Sequence, residues 1–340
     1  MNKKEYLISV IIPTYNSGNT ILRVAKSVLN QTYHNVELII INDGSTDNTL
    51  ELLKEIKDTR MILLNEEKSG PSTARNFGIK NAKGDFVLFC DADDKLDENI
   101  INEFVKTIEK KYYDVVLFKT IWIGKNNEVI KTPEIKSFEF KPNETDLLIK
   151  SIYNKFYKYN EIFGFDATWG KFVSRKLILD NNICFPDGIY RFEDGTFCRQ
   201  VYENTNNIYY LNKVGYYYFK NEQSLCNRFN DNIVKIYYDA LTVLGKNLYN
   251  DNDFYIRCIT TLTECEKLYF FNKQYKKGYK ELKKEYFKML ERKYYKDSIE
   301  KVDFSTIPIY YKIEIILLRK KMFLLYVIFK KLYMKLKNEI

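Results

Sequence analysis

The sequence predicts an α/β protein: a mostly parallel central sheet flanked by helices, followed by a helical C-terminal region. Three observations carry this. Short apolar runs alternate with helix-patterned stretches through the first half of the chain, the signature of repeated βα units. The polar residues after three of those runs, Pro13-Thr14-Tyr15-Asn16, Asn42-Asp43-Gly44 and Asp91-Ala92-Asp93, fall where an open parallel sheet gathers its ligands. From about Asn227 the strand patterns stop and long helical ones take over. The 340 residues suit two domains, expected at 1–225 and 226–340.

The elements follow in order. Leu7 to Ile12 reads as the first strand and Asn19 to Leu29 as a helix. Val36 to Ile41 is the second strand, then a helix from Thr46 to Ile56 with Ser45 or Thr46 as its cap. Met61 to Leu64 is the third strand, and Pro71 to Asn81 a helix with Pro at its start. Phe86 to Cys90 is apolar throughout and bounded by Gly84-Asp85 and by acids, as a buried central strand is. A helix from Asp97 to Lys110 and a strand from Val115 to Phe118 complete the series. Beyond Thr120 the alternation lapses into a hairpin, Ile121 to Ile130, about an Asn-rich turn. Helices are expected over Glu144 to Tyr159, up to about Asn181, and over Thr196 to Tyr202.

Composition excludes several chemistries. The six cysteines form no Cys-x-x-Cys pair, and the single histidine, His34, sits in a loop with no Ser or Cys nucleophile arranged around it. The thiols read as reduced and mostly buried, as in a cytoplasmic protein. No phosphate loop of the Walker or dinucleotide kind is present. Met1 to Glu5 leads directly into a strand, so no signal peptide is expected. The formal net charge is +9, and 24 basic against 14 acidic side chains fall after residue 225. All the excess positive charge therefore lies in the last third, which wants an acidic partner.

The acids after the fourth strand are the first chemical signal. At such a strand's carboxyl end, side chains two apart point the same way, so Asp91 and Asp93 are expected to face one crevice together. Two adjacent carboxylates repel unless a cation lies between them, and hard oxygen donors suit Mn²⁺ or Mg²⁺. The plainer alternative is that these acids cap the next helix.

In combination the motifs resemble the family 2 glycosyltransferases with the A-type nucleotide-sugar-binding fold. The matching residues are Val10-Ile11-Ile12-Pro13-Thr14-Tyr15-Asn16, Val36 to Asp47, Gly70 with Ala74-Arg75-Asn76-Phe77-Gly78, Asp91-Ala92-Asp93-Asp94, Trp169-Gly170-Lys171-Phe172 and Phe192-Glu193-Asp194. Order and spacing agree over roughly residues 6 to 225. The resemblance implies that Pro13, Tyr15 and Asp43 surround the nucleotide base, with Asn16 a further nucleotide-binding residue. It further implies that Asp91 with Ala92 meets the ribose, Asp93 the metal and Arg75 the phosphate region. A metal as Lewis acid and a fixed Arg both suit a departing diphosphate.

On the acceptor side, attack by an alcohol needs a base for its proton. The resemblance points to Asp194, with Glu193 as second choice; the alternative is that both are helix-start acids favoured by the macrodipole. Trp169 and Lys171 are the expected acceptor residues, the indole as a wall for a sugar ring, against the alternative of a core Trp.

The last segment, Ile307 to Leu336, carries Arg319-Lys320-Lys321 and Lys330-Lys331 around the apolar run Met322 to Phe329. Eleven residues is about three helical turns, so one amphipathic helix would show both basic clusters on a single face. Eight apolar residues are far fewer than the ~20 needed to span a bilayer, and a cationic helix at an anionic membrane surface fits. Docking on the head domain or a subunit is the alternative. Nucleic acid is not expected, since no recognition module accompanies the charge.

The reading is thus an inverting, metal-dependent transferase moving one sugar from a nucleotide-sugar, a UDP-sugar being the expected donor, to a glycan or lipid-linked acceptor in bacterial surface polysaccharide synthesis. The expected location is cytoplasmic, peripheral on the inner face of the membrane, with oligomers possible through the helical region. The Gln-x-x-Arg-Trp motif and spans of processive synthases are absent from the sequence. The rivals are a sugar-nucleotide nucleotidyltransferase, which would carry a Gly-rich, Arg-containing loop where Pro13-Thr14-Tyr15-Asn16 stands, and a non-catalytic nucleotide-sugar-binding scaffold.

Overall fold

The computed structural model describes residues 4–124, 126, 128–130, 134–156, 164–220, 229–245 and 251–336. Two compact units divide the chain, Met1–Ile152 with Lys158–Asn221, and Tyr153–Tyr157 with Glu222–Ile340. The boundary expected at 225 lies outside the described residues.

The first unit is built on one sheet. Its leading elements are β1 (Ile8–Thr14), α1 (Ile21–Leu29), β2 (Val36–Asp43), α2 (Thr49–Lys54), β3 (Met61–Glu66), α3 (Pro71–Asn81), β4 (Phe86–Phe89), β5 (Lys95–Leu96) and α4 (Ile100–Lys110). β6 (Val115–Ile123), β7 (Val129–Ile130), β8 (Phe138–Glu139) and α5 (Pro142–Tyr153) come next. β9 (Lys171–Ser174), α6 (Arg175–Asp180), α7 (Glu193–Glu203) and β10 (Ile208–Phe219) complete the unit. The strands lie in the order β3-β2-β1-β4-β9-β6-β10-β5, with β7 beside β6 and β8 beside β10.

β1, β2, β3 and β4 run parallel, and Ile8, Val10, Ile12, Leu38, Ile40, Phe86 and Leu88 are buried in one core cluster. Such continuously apolar strands bury both faces under helices. The hairpin expected at 121–130 forms, with Trp122 opposite Ile130; Lys125 and Asn127 in its turn lie outside the described residues. The helix expected to reach Tyr159 is described to Tyr153, and residues 157–159 lie outside the described ones.

Four strands among the described residues escaped the sequence reading, the two-residue β5 and β8 and the longer β9 and β10. β9 enters antiparallel between β4 and β6, and the twelve-residue β10 pairs parallel with β6 through two register shifts. β10 was obscured because Asn212-Lys213 and Gly215 interrupt its apolar pattern at those irregularities.

The second unit is helical: α8 (Ile233–Leu244), α9 (Asn252–Cys265), α10 (Tyr279–Leu290), α11 (Lys293–Lys301), α12 (Ile309–Arg319) and α13 (Phe323–Leu336). A π-helical turn, Glu266–Phe270, extends α9 and delivers Glu266 to the interior. There Lys330 pairs with Glu266 at 2.9 Å and with Glu314. Tyr286 and Tyr326 donate to Glu266, and Tyr310 donates to Glu314 at 2.5 Å. Buried charges persist only when paired and hydrogen-bonded in this way.

This overturns the single tail helix. The segment breaks after Arg319, where Lys321 takes φ +55° and Met322 N donates to Leu317 O at 2.9 Å while Lys321 N donates to Leu318 O at 3.0 Å. That is a Schellman ending with Lys in the left-handed position usually given to Gly. Lys330 is fully buried rather than displayed, so it does not share an outer face with Arg319-Lys320-Lys321. No helix among the described residues is long and apolar enough to cross a membrane.

Candidate active site

The parallel register brings the carboxyl ends of β1, β2 and β4 to one rim, Thr14 lying beside Asn42 and Ile11 beside Phe89. α3 is pressed onto this part of the sheet at Gly78, where an added Cβ would stand 2.4 Å from Ile11 Cγ2 and 2.9 Å from Ile41 Cδ1. One turn earlier on the same helix, buried Arg75 reaches the rim. Its Nη1 donates to Asp194 Oδ1 at 2.9 Å and its Nη2 to Asp91 Oδ1 at 3.1 Å. One guanidinium thus joins two carboxylates from distant parts of the sequence, Asp91 after β4 and Asp194 at the start of α7.

An aromatic floor supports the bridge. Phe185 lies 5.4 Å from the Arg75 guanidinium and stacks on Phe197 at 4.3 Å, with Phe89 edge-on to both. Asn76 fixes Phe185 by exchanging two 2.9 Å bonds with its backbone. Burial by itself would favour loss of the Arg75 proton, but Asp194 and Asp91 more than offset it and hold the group charged. Arg75 Nε has no hydrogen-bond partner among the described residues.

Asp91 to Asp94 forms a turn, not a strand extension: β4 stops at Phe89 and Asp94 N donates to Asp91 O at 3.2 Å. Asp91 and Asp93 therefore do not follow strand alternation, contrary to expectation, and each acid has its own surroundings. Burial pushes the Asp91 carboxyl up against the pull of Arg75, and Asp93 pushes it further. Asp94 is buried and accepts from Tyr216 Oη at 2.7 Å and Phe219 N at 2.9 Å. Burial and then the Asp91 charge raise it to about 8. Tyr216 Oη also accepts from Asp91 N at 3.0 Å, so this one phenol pins both ends of the turn. Thr20 Oγ1 donates to Ala92 O at 2.7 Å, and Arg23 donates to Asp93 O.

Those bonds leave Asp93 as the acid of the turn whose half-buried carboxylate makes no hydrogen bond or ion pair with a described residue. No group of three or more His, Cys, Asp or Glu side chains among the described residues is arranged to hold a metal. An ion here would rest on Asp93 and complete its shell from substrate phosphate and water, the usual habit of Mg²⁺. The donor chemistry fits such a shared ion and not an all-protein cage.

The loops after β1 and β2 interlock. Asn16, at φ +49°, accepts from Thr46 N at 2.8 Å through Oδ1, while its own N donates to Ser45 Oγ at 3.0 Å. Ser45 and Thr46 thereby serve this loop and not a helix cap; α2 begins later, with Asp47 Oδ1 accepting from Thr49 N. Asp43 accepts from Ser69 N at 2.6 Å and Gly70 N at 3.0 Å, tying β2 to the start of α3. Half-buried Pro13 precedes Tyr15, which is exposed at the rim with Lys68 donating to its hydroxyl at 2.9 Å.

Glu193 and Asp194 open α7, and the residue before them, Phe192, has φ +60°. A bulky side chain in the left-handed region is strained, and such strain collects at functional sites. Burial raises both acids; Glu193 rises to about 7, with the Asp194 charge adding to it. Thr168 Oγ1 approaches Asp194 Oδ2 at 3.4 Å.

The two expected acceptor residues are placed as packing residues. Trp169 is 7% exposed and stacks on Tyr216 at 5.1 Å, the core alternative. Lys171 is buried and donates to Phe165 O at 3.2 Å and to Ala167 O, so its ammonium is spent on backbone carbonyls. Sequence reasoning missed Lys68, Thr168 and Tyr216, because a lone Lys, Thr or Tyr between elements carries no spacing signal.

Residues 9–174 match the model of the family described as Glycosyl transferase family 2. The glycosyltransferase GlyG of Streptococcus pneumoniae is 30% identical over 232 residues, 64% of this chain and 72% of that protein. The chain belongs to glycosyl transferase family 2. Its family relatives include GlyA of S. pneumoniae, 28% identical over 69% of this chain and 34% of that protein. Another is TarS of Staphylococcus aureus, a poly(ribitol-phosphate) β-N-acetylglucosaminyltransferase, 30% identical over 62% of this chain and 35% of that protein. The match thus spans about a third of GlyA and TarS. The crystal structure of S. aureus TarS residues 1–349 in complex with UDP-GlcNAc is similar in fold, with TM-score 0.67, 22% identity, and coverage of 97% of this chain and 92% of that one.

Proposed function

We propose that the chain moves one sugar from a nucleotide-sugar, a UDP-sugar, to an acceptor hydroxyl with inversion, in bacterial surface polysaccharide synthesis of the capsule, lipopolysaccharide or teichoic type. The observation that carries the reading is the Arg75 bridge between Asp91 and Asp194. It couples the expected donor turn to the expected base. The relative solved with UDP-GlcNAc supports a UDP-sugar, and the TarS name supports a glycan acceptor. A lipid-linked acceptor at the inner face of the cell membrane suits the same class of product.

In this reading Pro13, Tyr15, Asn16 and Asp43 line the base side, and Asp91 with Ala92 the ribose. Asp93 would hold Mn²⁺ or Mg²⁺ together with the diphosphate, and the ion would supply Lewis-acid neutralisation of the leaving group. Asp194 takes the acceptor hydroxyl proton on a carboxylate oxygen. The acceptor oxygen then bonds to the anomeric carbon on the face opposite the leaving group, whose bond breaks with its electron pair going to the nucleotide diphosphate. Arg75 keeps the Asp194 carboxylate oriented and offsets its burial. Glu193, with its raised carboxyl, is the second candidate base.

Donor turnover with UDP-sugars, GDP-sugar controls and Mn²⁺ tests this. Release of UDP, lost in Asp93→Ala, is the expected result. Formation of UTP and sugar 1-phosphate on adding pyrophosphate would favour the nucleotidyltransferase, and binding without turnover under either condition the scaffold.

A further inference from the structure

Helix α13 is apolar on both its buried and its outer side, unlike an ordinary water-facing helix. Its buried side carries Lys330 and Tyr326 along with Phe323, Val327 and Met334. Its outer side carries Leu324 at 57% exposure, Ile328 at 49%, Leu332 at 60% and Leu336 at 84%. At 100° per residue these four, with Leu325, Lys331 and Lys335, occupy an arc of about 140°. The rotation is fixed by the buried lock: Lys330 is held by Glu266 and Glu314, and Tyr326 donates to Glu266. To turn the leucines inward would expose that lock and strand its carboxylates. α12 continues the pattern, with Ile309 at 70% exposure and Ile313 and Ile316 also outward. Burying a lysine while exposing this much aliphatic surface suits a non-aqueous partner for the outer face.

Charge selects the partner. Residues 309–336 contain seven basic side chains and one acid, Glu314, and that acid is buried against Lys330. Every charge this hairpin displays is therefore positive, with Arg319, Lys320, Lys321, Lys331 and Lys335 exposed beside the apolar residues. A two-fold contact between copies over this face would set like charges together. An acidic interface with an apolar interior matches both features.

We propose that the α12–α13 hairpin is a docking surface for an anionic lipid bilayer, lying in the headgroup plane with Leu324, Ile328, Leu332 and Leu336 toward the acyl chains. This goes beyond the glycosyl-transfer reading and does not depend on it. Each exposed basic residue adds about fivefold to the partition coefficient at an anionic surface.

Flotation of the full chain with phosphatidylcholine vesicles, with and without phosphatidylglycerol, at low and high salt, tests the proposal. Binding to the anionic vesicles that weakens with salt is expected. The triple variant Leu324→Gln/Ile328→Gln/Leu332→Gln should lose it at least tenfold with unchanged thermal unfolding, since all three side chains are exposed. Lys331→Glu/Lys335→Glu, which leaves the apolar face intact, should lose it at least tenfold too. Absence of flotation, or flotation unchanged in both variants, overturns the proposal. Sedimentation showing a stable oligomer that the triple variant dissociates, without vesicle binding, overturns it in favour of a self-interface.

Discussion

Arg75 Nη1 donates to Asp194 Oδ1 at 2.9 Å across 119 residues of sequence. The same guanidinium holds Asp91, so removing it strands two carboxylates at once.

Arg75→Lys retains one charge but cannot reach both acids in a forked geometry. The turnover number should fall about 10²-fold or more. Arg75→Met, which leaves both acids uncompensated, should also lower stability by about 3–5 kcal/mol. Steady-state kinetics and urea unfolding separate the two effects.

Asp194→Asn should bind donor normally, by calorimetry, and lose transfer by about 10²–10⁴-fold, the usual range for a missing general base. Because burial raises both Asp194 and Glu193, the latter to about 7, the wild-type rate should decline on acidification well above the ordinary carboxylate range. Normal transfer by Asp194→Asn would move the base to Glu193, with Glu193→Gln then inactive.

Gly78→Ala tests the approach of α3 to the sheet. With Ile11 and Ile41 inside 3 Å of the added methyl, it should cost about 1–3 kcal/mol as overpacking. It should also reduce the turnover number by displacing Arg75. An unchanged melting temperature and rate would show that the helix yields freely.

Glu314 gives the helical unit a pH dependence of its own. Burial, opposed by Lys330 and aided by Glu266, raises it from 4.5 to about 7. The folded state therefore keeps a proton that the unfolded chain releases near its ordinary value. That contribution is full below about pH 4.5 and is lost as pH rises through about 7, a change on the order of 3 kcal/mol. Glu314→Gln, which mimics the protonated form, should flatten the fall in unfolding free energy between pH 5 and 7.5. A slope equal to wild type would mean that Glu314 is ionised throughout.

Much of the fold around the rim was legible because it lies in regular elements. The strand signals at Ile8–Thr14, Val36–Asp43 and Phe86–Phe89 are uninterrupted apolar runs, and Pro71 marks the first residue of α3. Arg75 was singled out through its place in the Ala74-Arg75-Asn76-Phe77-Gly78 motif that carries the family resemblance. What escaped depends on contacts distant in sequence. Lys171 looks like a polar group awaiting a ligand until the carbonyls of Phe165 and Ala167 are seen around it. Lys330 looks like part of a displayed basic pair until a π-helical turn brings Glu266 beneath it. Nor does periodicity foretell that a lysine would end α12 in the left-handed conformation.

β9 runs against both neighbours, with Phe172 beside Leu88 and Ser174 beside Phe86. The parallel strands reach the rim by finishing there, whereas β9 starts from it. Thr168 accordingly meets Asp194 from ahead of its strand, while Asp91 arrives after one. Under the proposed transfer reaction, the groups that meet donor and acceptor would therefore hang from opposite termini of adjacent antiparallel strands.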